Sequence, residues 1–250
     1  MITINNIHKR FTGNDVLRGV DLTINEGETL AIIGRSGCGK SVLLKHIVGL
    51  LFPDDGYVTI ENKRLDQTTP AELYSIRRRF GFLFQGAALF DSMTVEQNVL
   101  FPLNMFSDMN ESQKMERVNF CLNRVNIKDA NHLFPAEISG GMQKRVAIAR
   151  AISLNPKYLF CDEPNSGLDP ETATVIDKLI LELTKEFQMT TIINTHDMNS
   201  VIEIGESVLF ISKGEKEWVG TRNEILTSNN KKLNDFIFAN KLYAQMKNGK

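Results

Sequence analysis

The chain has 250 residues, 42% of them hydrophobic and 24% charged, and its 29 Lys plus Arg nearly balance 30 Asp plus Glu for a formal charge of -1. A sizeable core is within reach, as one large domain or a core with a subdomain, whereas no charge excess exists to drive binding to nucleic acid or an anionic membrane. Cys38, Cys121 and Cys161 are odd in number, far apart and without zinc-ligand or redox-pair spacing, which fits a reducing compartment.

The opening MITINNIHKR lacks the basic-then-apolar pattern of a secretory signal, and no stretch reaches the roughly 18 apolar residues of a membrane span. The expectation is a cytosolic chain that meets a membrane only through another subunit. Ile2 and Ile4, then Val20, Leu22 and Ile24, alternate as antiparallel strands do, with a turn at Glu26-Gly27-Glu28. TLAIIG runs apolar into a glycine loop and SVLLKHIVGLL follows at helical spacing, the strand-loop-helix order of a parallel α/β core. GYVTI predicts a strand, PAELYSIRRRF a short helix and GFLFQ another strand.

From about residue 93 to 154 the pattern turns helical. Thr94 and Gln97 have capping-box spacing, Met115, Val118, Leu122 and Val125 form an amphipathic stripe, and a further helix starts near Gly140. YLFCD is a buried strand, Asp169-Pro170 starts a helix, and TTIINT and SVLFI are strands. Thr221 and Glu224 repeat the capping-box spacing before ILTS. Leu233, Phe236, Ile237, Tyr243 and Met246 stand at near-helical spacing, broken by Asn240, for which docking on the chain's own domain is the expectation and contact with a second copy or a regulatory subunit the alternative.

Two constellations carry chemistry. GRSGCGKS, residues 34–41, fits the phosphate-loop spacing between a strand and a helix. Gly34, Gly37 and Gly39 let the backbone N–H groups of the loop, including those of Arg35, Ser36 and Cys38, turn inward. Lys40 suits the β/γ-phosphates and Ser41 a Mg²⁺ ion. Asp162 at the end of YLFCD suits the same metal, and Glu163 suits polarisation of an attacking water. A second anion-binding head lies far downstream, where Ser139, Gly140 and Gly141 open a helix with no bulky side chain in the way. Ser139 also serves as an ordinary helix cap there.

The phosphate loop, Gln85 closing GFLFQ, the Ser139-Gly140-Gly141 head, SGLDP just after the acidic pair and His196 in NTHD occur in an order that resembles the ATP-binding subunit of ABC transporters, over nearly the whole chain. The resemblance implies an α/β phosphate-loop NTPase core of ABC type with an N-terminal antiparallel β region and an inserted helical subdomain, a 1–226 ATPase domain and a 227–250 C-terminal helical extension. It further implies two copies that sandwich ATP head to tail, the loop of one facing the serine-glycine head of the other. By position, Gln85 contacts Mg²⁺ or the attacking water and senses the membrane subunit, His196 senses the γ-phosphate, Asp169 touches the opposite loop and Phe11 stacks on adenine.

Ile138-Ser-Gly-Gly-Met142 departs from the family's usual Leu-Ser-Gly-Gly-Gln. LFQGAALFDSMTVEQNVLFPL, EISGGMQKRVAIARAI and SGLDPETATVIDKLI resemble the Mla-type ATPase. That implies phospholipid transfer between bacterial inner and outer membranes, with a permease, an MCE protein and a small STAS-domain subunit, from the cytoplasmic side of the inner membrane. An importer ATPase for amino acids or ions is the alternative within the class. A soluble ABC-type ATPase acting on DNA or ribosomes is the alternative outside it.

Overall fold

The computed structural model describes residues 1–238, and the chain divides into two compact units, Met1–Leu73 with Ile192–Lys250, and Tyr74–Thr191. In the first, β1 (Ile2–Phe11) and β2 (Asn14–Ile24) form a hairpin through Thr12 and Gly13, both at positive φ, as the twist of paired strands favours. Ile2, Ile4 and Ile7 stand opposite Ile24, Leu22 and Val20. Strict alternation would turn Ile7 outward after Ile4. A bulge at Asn6 (φ 45°), whose N–H donates to Asp21 Oδ1 at 2.8 Å, absorbs a residue and returns Ile7 to the core, fully buried.

β3 (Thr29–Ile33) is buried at every residue and runs into the glycine loop; α1 (Lys40–Ile47) follows and buries Leu43, Leu44 and Ile47. β4 (Asp55–Ile60) and β5 (Lys63–Arg64) complete an antiparallel sheet of order β2-β1-β4-β5. The chain passes into the second unit through α2 (Pro70–Arg77).

There β6 (Phe80–Leu83) pairs in parallel with β7 (Tyr158–Asp162). Between them in sequence come α3 (Val95–Phe106), α4 (Glu111–Arg124) and α5 (Gly140–Ile152), three helices within the stretch expected to be helical. Thr94 and Gln97 cap α3 reciprocally, at 3.2 and 2.9 Å, and Asn110 and Gln113 cap α4 in the same way. Val118, Leu122 and Val125 of the amphipathic stripe are buried. α6 (Pro170–Glu186) begins on Asp169 with proline at its first position.

The chain returns through β8 (Thr190–Thr195) to α7 (Met198–Ile204), β9 (Ser207–Ser212), β10 (Glu215–Thr221) and α8 (Lys231–Ile237). β9 lies parallel to β3 and antiparallel to β10. The Thr221–Glu224 spacing does not open a helix. Glu224 accepts from the Thr221 N–H and hydroxyl at 2.7 and 2.9 Å, but residues 222–227 form turns. Ile225 is buried in the core while Leu226 is exposed, and one anchor makes no amphipathic face.

α8 docks on its own unit. Leu233 and Ile237 are fully buried beside Ala31, Ile33, Val208 and Phe210, and the Phe236 ring lies 5.3 Å from that of Phe210. Asn240, Tyr243 and Met246 lie outside the described residues. Among the described residues, no helix is long and apolar enough to cross a membrane.

Candidate functional site

In the first unit β3 delivers the phosphate loop and α1 receives it. A Cβ at Gly34 would sit 2.2 Å from Ile211 O, and one at Gly39 (φ 109°) 2.9 Å from Val16 O. Glycine alone therefore lets the chain leave β3 beside β9 and start α1 against β2. Arg35, Ser36 and Gly37 are exposed, while Cys38 accepts from Gly214 N–H through its carbonyl at 3.2 Å. The Lys40 ammonium is buried and donates to Gly34 O at 2.8 Å and Arg35 O at 3.3 Å, so it is held within the loop that its own backbone wraps. Ser41 is half-buried in the first turn of α1. The Cys38 N–H is engaged by Arg35 O at 3.2 Å; a buried ammonium and a helix N-terminus give this loop the chemistry of a polyphosphate site.

Burial pushes the Cys38 thiol pKa up, and the neighbouring Lys40 partly offsets that rise. Phe11 is 42% exposed at the tip of the β1–β2 hairpin, with the Lys9 ammonium 5.4 Å from its ring centroid, so it is a surface aromatic rather than a core residue. The same hairpin supplies Val16 against Gly39. His196 is exposed just after β8, in a turn where Asp197 N–H donates to Thr195 Oγ1 at 3.0 Å and the Asp197 carboxylate caps α7.

The second unit holds the acidic pair. Asp162 ends β7 half-buried, and Glu163 follows in a left-handed conformation (φ 51°), a break that ends the strand and re-aims the next side chain. Ser166 N–H donates to Glu163 O at 3.1 Å, and Ser166 Oγ accepts from Gln85 Nε2 at 3.4 Å. The structure thus brings Gln85 onto the segment that follows Glu163. Asn165 donates to the buried Asp177 at 2.7 Å, which pins that segment to α6.

Ser139 caps α5, accepting from Met142 N–H at 3.3 Å, and a Cβ at Gly140 would meet nothing within 4 Å. A Cβ at Gly141 would lie 2.9 Å from Thr172 Cγ2, so the first turns of α5 and α6 adjoin. Asp169 accepts from Thr172 N–H at 2.9 Å and Thr172 Oγ1 at 2.6 Å, bonds that hold its carboxyl pKa below the ordinary value.

A groove of ≈ 490 Å³ opens in the second unit, lined by Tyr74, Phe84, Ala88, Phe90, Phe106 and Arg150 among others. Sequence reasoning passed over two residues here. Lys144 donates to Gln85 O, and Arg150 donates to Ala87 O and Ala88 O. Their signal is faint: Lys144 shares a helical stripe with Ala147, Ile148 and Ala151, all buried, and a cation at such a position implies a specific acceptor.

The family profile described as ABC transporter matches residues 17–166. The chain belongs to the ABC transporter family. Membership assigns ATP binding and hydrolysis to this ABC ATPase. The "Probable ribonucleotide transport ATP-binding protein mkl" of Mycobacterium tuberculosis (strain ATCC 25618 / H37Rv) is 36% identical over 94% of the chain and 66% of its own length. The "Methionine import ATP-binding protein MetN" of Protochlamydia amoebophila is 42% identical over 80% of the chain and 58% of its own length. The chain thus spans two thirds or less of these relatives.

Among solved structures, the ATP-binding cassette MJ0796, a dimer bound to ADP and Pi, gives a TM-score of 0.81 at 35% identity, covering 89% of this chain and 99% of that one. The cbiO1 protein of Clostridium perfringens, part of the transporter complex cbiONQ, gives 0.84 at 29% identity, covering 98% of each. The ABC ATPase therefore has the α/β cassette fold that its motif order implied.

Proposed function

We propose that this ABC ATPase powers a bacterial transporter that transfers phospholipid between inner and outer membranes, with a permease, an MCE-type protein and a STAS-domain subunit, from the cytoplasmic face of the inner membrane. The observation that carries the motor role is the glycine-shaped loop closed around the Lys40 ammonium. The phospholipid cargo is supported by the three Mla-like segments around Gln85, Ser139 and Asp169.

In this reading Phe11 stacks on adenine, while Lys40 and the N–H groups of residues 34–41 hold the phosphates. The Ser41 hydroxyl, Gln85 amide and Asp162 carboxylate suit Mg²⁺, which takes hard oxygen donors and shares its coordination with nucleotide and water. Bound Mg²⁺ supplies neutralisation of phosphate charge. Glu163 takes the proton of the water that attacks the γ-phosphorus, and His196 hydrogen-bonds the γ-phosphate; the products are ADP and phosphate. Ser139, Gly140 and Gly141 of a second copy close over the γ-phosphate, and Asp169 stands beside the opposite loop. The groove at Phe84 and Phe90 takes a short cytoplasmic helix of the permease, which ATP-driven closure and release move between two conformations.

Import of an amino acid or ion is the second reading, favoured by the 42% identity to a methionine-import protein. Purification of the tagged full chain from detergent-solubilised membranes of its own cell tests both. Recovery of a multi-span permease, an MCE protein and bound phospholipid is the expected result. Recovery of a solute-binding protein instead overturns the lipid assignment and leaves the motor intact.

A further inference from the structure

Helix α5 presents two cations to the segment that follows β6. Lys144 is buried, and its Nζ donates to Gln85 O; Arg150 Nη2 donates to Ala87 O at 2.8 Å and Nη1 to Ala88 O at 2.7 Å. Ala87 and Ala88 have φ of 62° and 48°, two consecutive left-handed residues without a glycine, a shape that alanine rarely holds unaided. Three carbonyls of one short segment are therefore turned toward one helix. The other side of the segment carries the Gln85 amide, which reaches Ser166 Oγ.

Packing alone does not account for these cations. Burial pulls the Lys144 pKa down, with Cys161 and Glu163 pushing the other way, and an aliphatic side chain would fill the same stripe without that penalty. Arg150 has a second feature. Its guanidinium lines the groove together with Phe84, Ala88 and Phe90, and stands 6.0 Å from the Phe90 ring centroid. One side chain thus faces the groove and clamps the backbone two and three residues from Gln85.

We propose that Lys144 and Arg150 are positioning residues for Gln85, fixing the segment 85–88 through its carbonyls, with Ala87 and Ala88 left-handed, and thereby the place of the Gln85 amide. The inference rests on the reading of Gln85 as the group that meets Mg²⁺ or the attacking water. It makes α5, headed by Ser139, the element on which the Gln85 segment is mounted.

A double-variant cycle on ATP hydrolysis by the full chain tests it. Gln85→Ala and Arg150→Met each lower kcat about tenfold, the dissociation constant for Mg²⁺-free ATP stays within about twofold because the Lys40 loop is untouched, and the double variant is no slower than Gln85→Ala. Arg150→Lys, which keeps the charge but not the two-pronged grip, restores part of kcat. A double variant slower than Gln85→Ala by the whole Arg150→Met factor overturns the inference, because Arg150 then acts elsewhere. So does an unchanged kcat in Arg150→Met beside a slow Gln85→Ala. An unchanged kcat in Gln85→Ala instead overturns the underlying reading of Gln85. If Arg150→Met precipitates, Lys144→Met takes its place in the same cycle with the same two outcomes.

Discussion

Cys38 sits inside the phosphate loop with 8% of its surface exposed, whereas Cys121 and Cys161 are fully buried. The Cys121 thiol is pushed up to about 11, and that of Cys161 higher still, by burial first in each case. Only the thiolate reacts with maleimides. Labelling is therefore expected at Cys38 alone, slow at pH 7, rising about tenfold per pH unit toward the raised pKa, and suppressed by MgATP. Equal labelling with and without MgATP, read by mass spectrometry, would remove nucleotide from this loop. The loop was legible because a single spacing of glycines, lysine and serine encodes one backbone shape. Lys144 and Arg150 were not, because each bonds a backbone carbonyl 59 or more residues away, and carbonyl acceptors leave no mark on the sequence.

Elements announced themselves where their end groups did. Thr94, Gln97 and Asp169 are caps as their spacing implied, yet the same spacing at Thr221 and Glu224 closes a turn. The hydrogen bonds are alike; the missing ingredient is an apolar face long enough to extend one turn into a helix. The bulge at Asn6 was equally hidden, because it corrects a phase that only the paired strand defines. α3 holds its preceding loop through Asn98, fully buried, whose side chain accepts from Phe90 N–H at 2.8 Å and donates to Phe90 O, Met93 O and Thr94 O at 3.0 to 3.2 Å. Asn98→Ala strands those groups and is expected to cost about 2–3 kcal/mol. Thermal unfolding checks this, and an unchanged midpoint would mean that the loop is held by other contacts.

At the scale of the molecule, ATP is expected to join two copies. Glu163→Gln leaves nucleotide binding in place but removes the base, so size-exclusion chromatography with MgATP should show this variant as a dimer that persists while the parent chain hydrolyses and separates. Rapid turnover by Glu163→Gln would take the base role away from Glu163. The ordered motifs revealed this cassette and a helical insertion of about residues 93–154, whereas the second compact unit runs from Tyr74 to Thr191 and takes in β6, β7 and α6 as well.

That arrangement bears on how the chain is made. Ala31 and Ile33 of β3, the strand that delivers the phosphate loop, share a cluster with Leu233 and Ile237 of α8, two side chains whose full burial contributes roughly 1.5–3 kcal/mol each. Synthesis proceeds from the N-terminus, so a nascent chain makes its nucleotide loop early and waits some two hundred residues for the helix that covers the strand behind it. Until residue 237 has left the ribosome, the part of that cluster which Leu233 and Ile237 cover stays open to solvent and to chaperones, even after Met198, Val201, Val208 and Phe210 have been made.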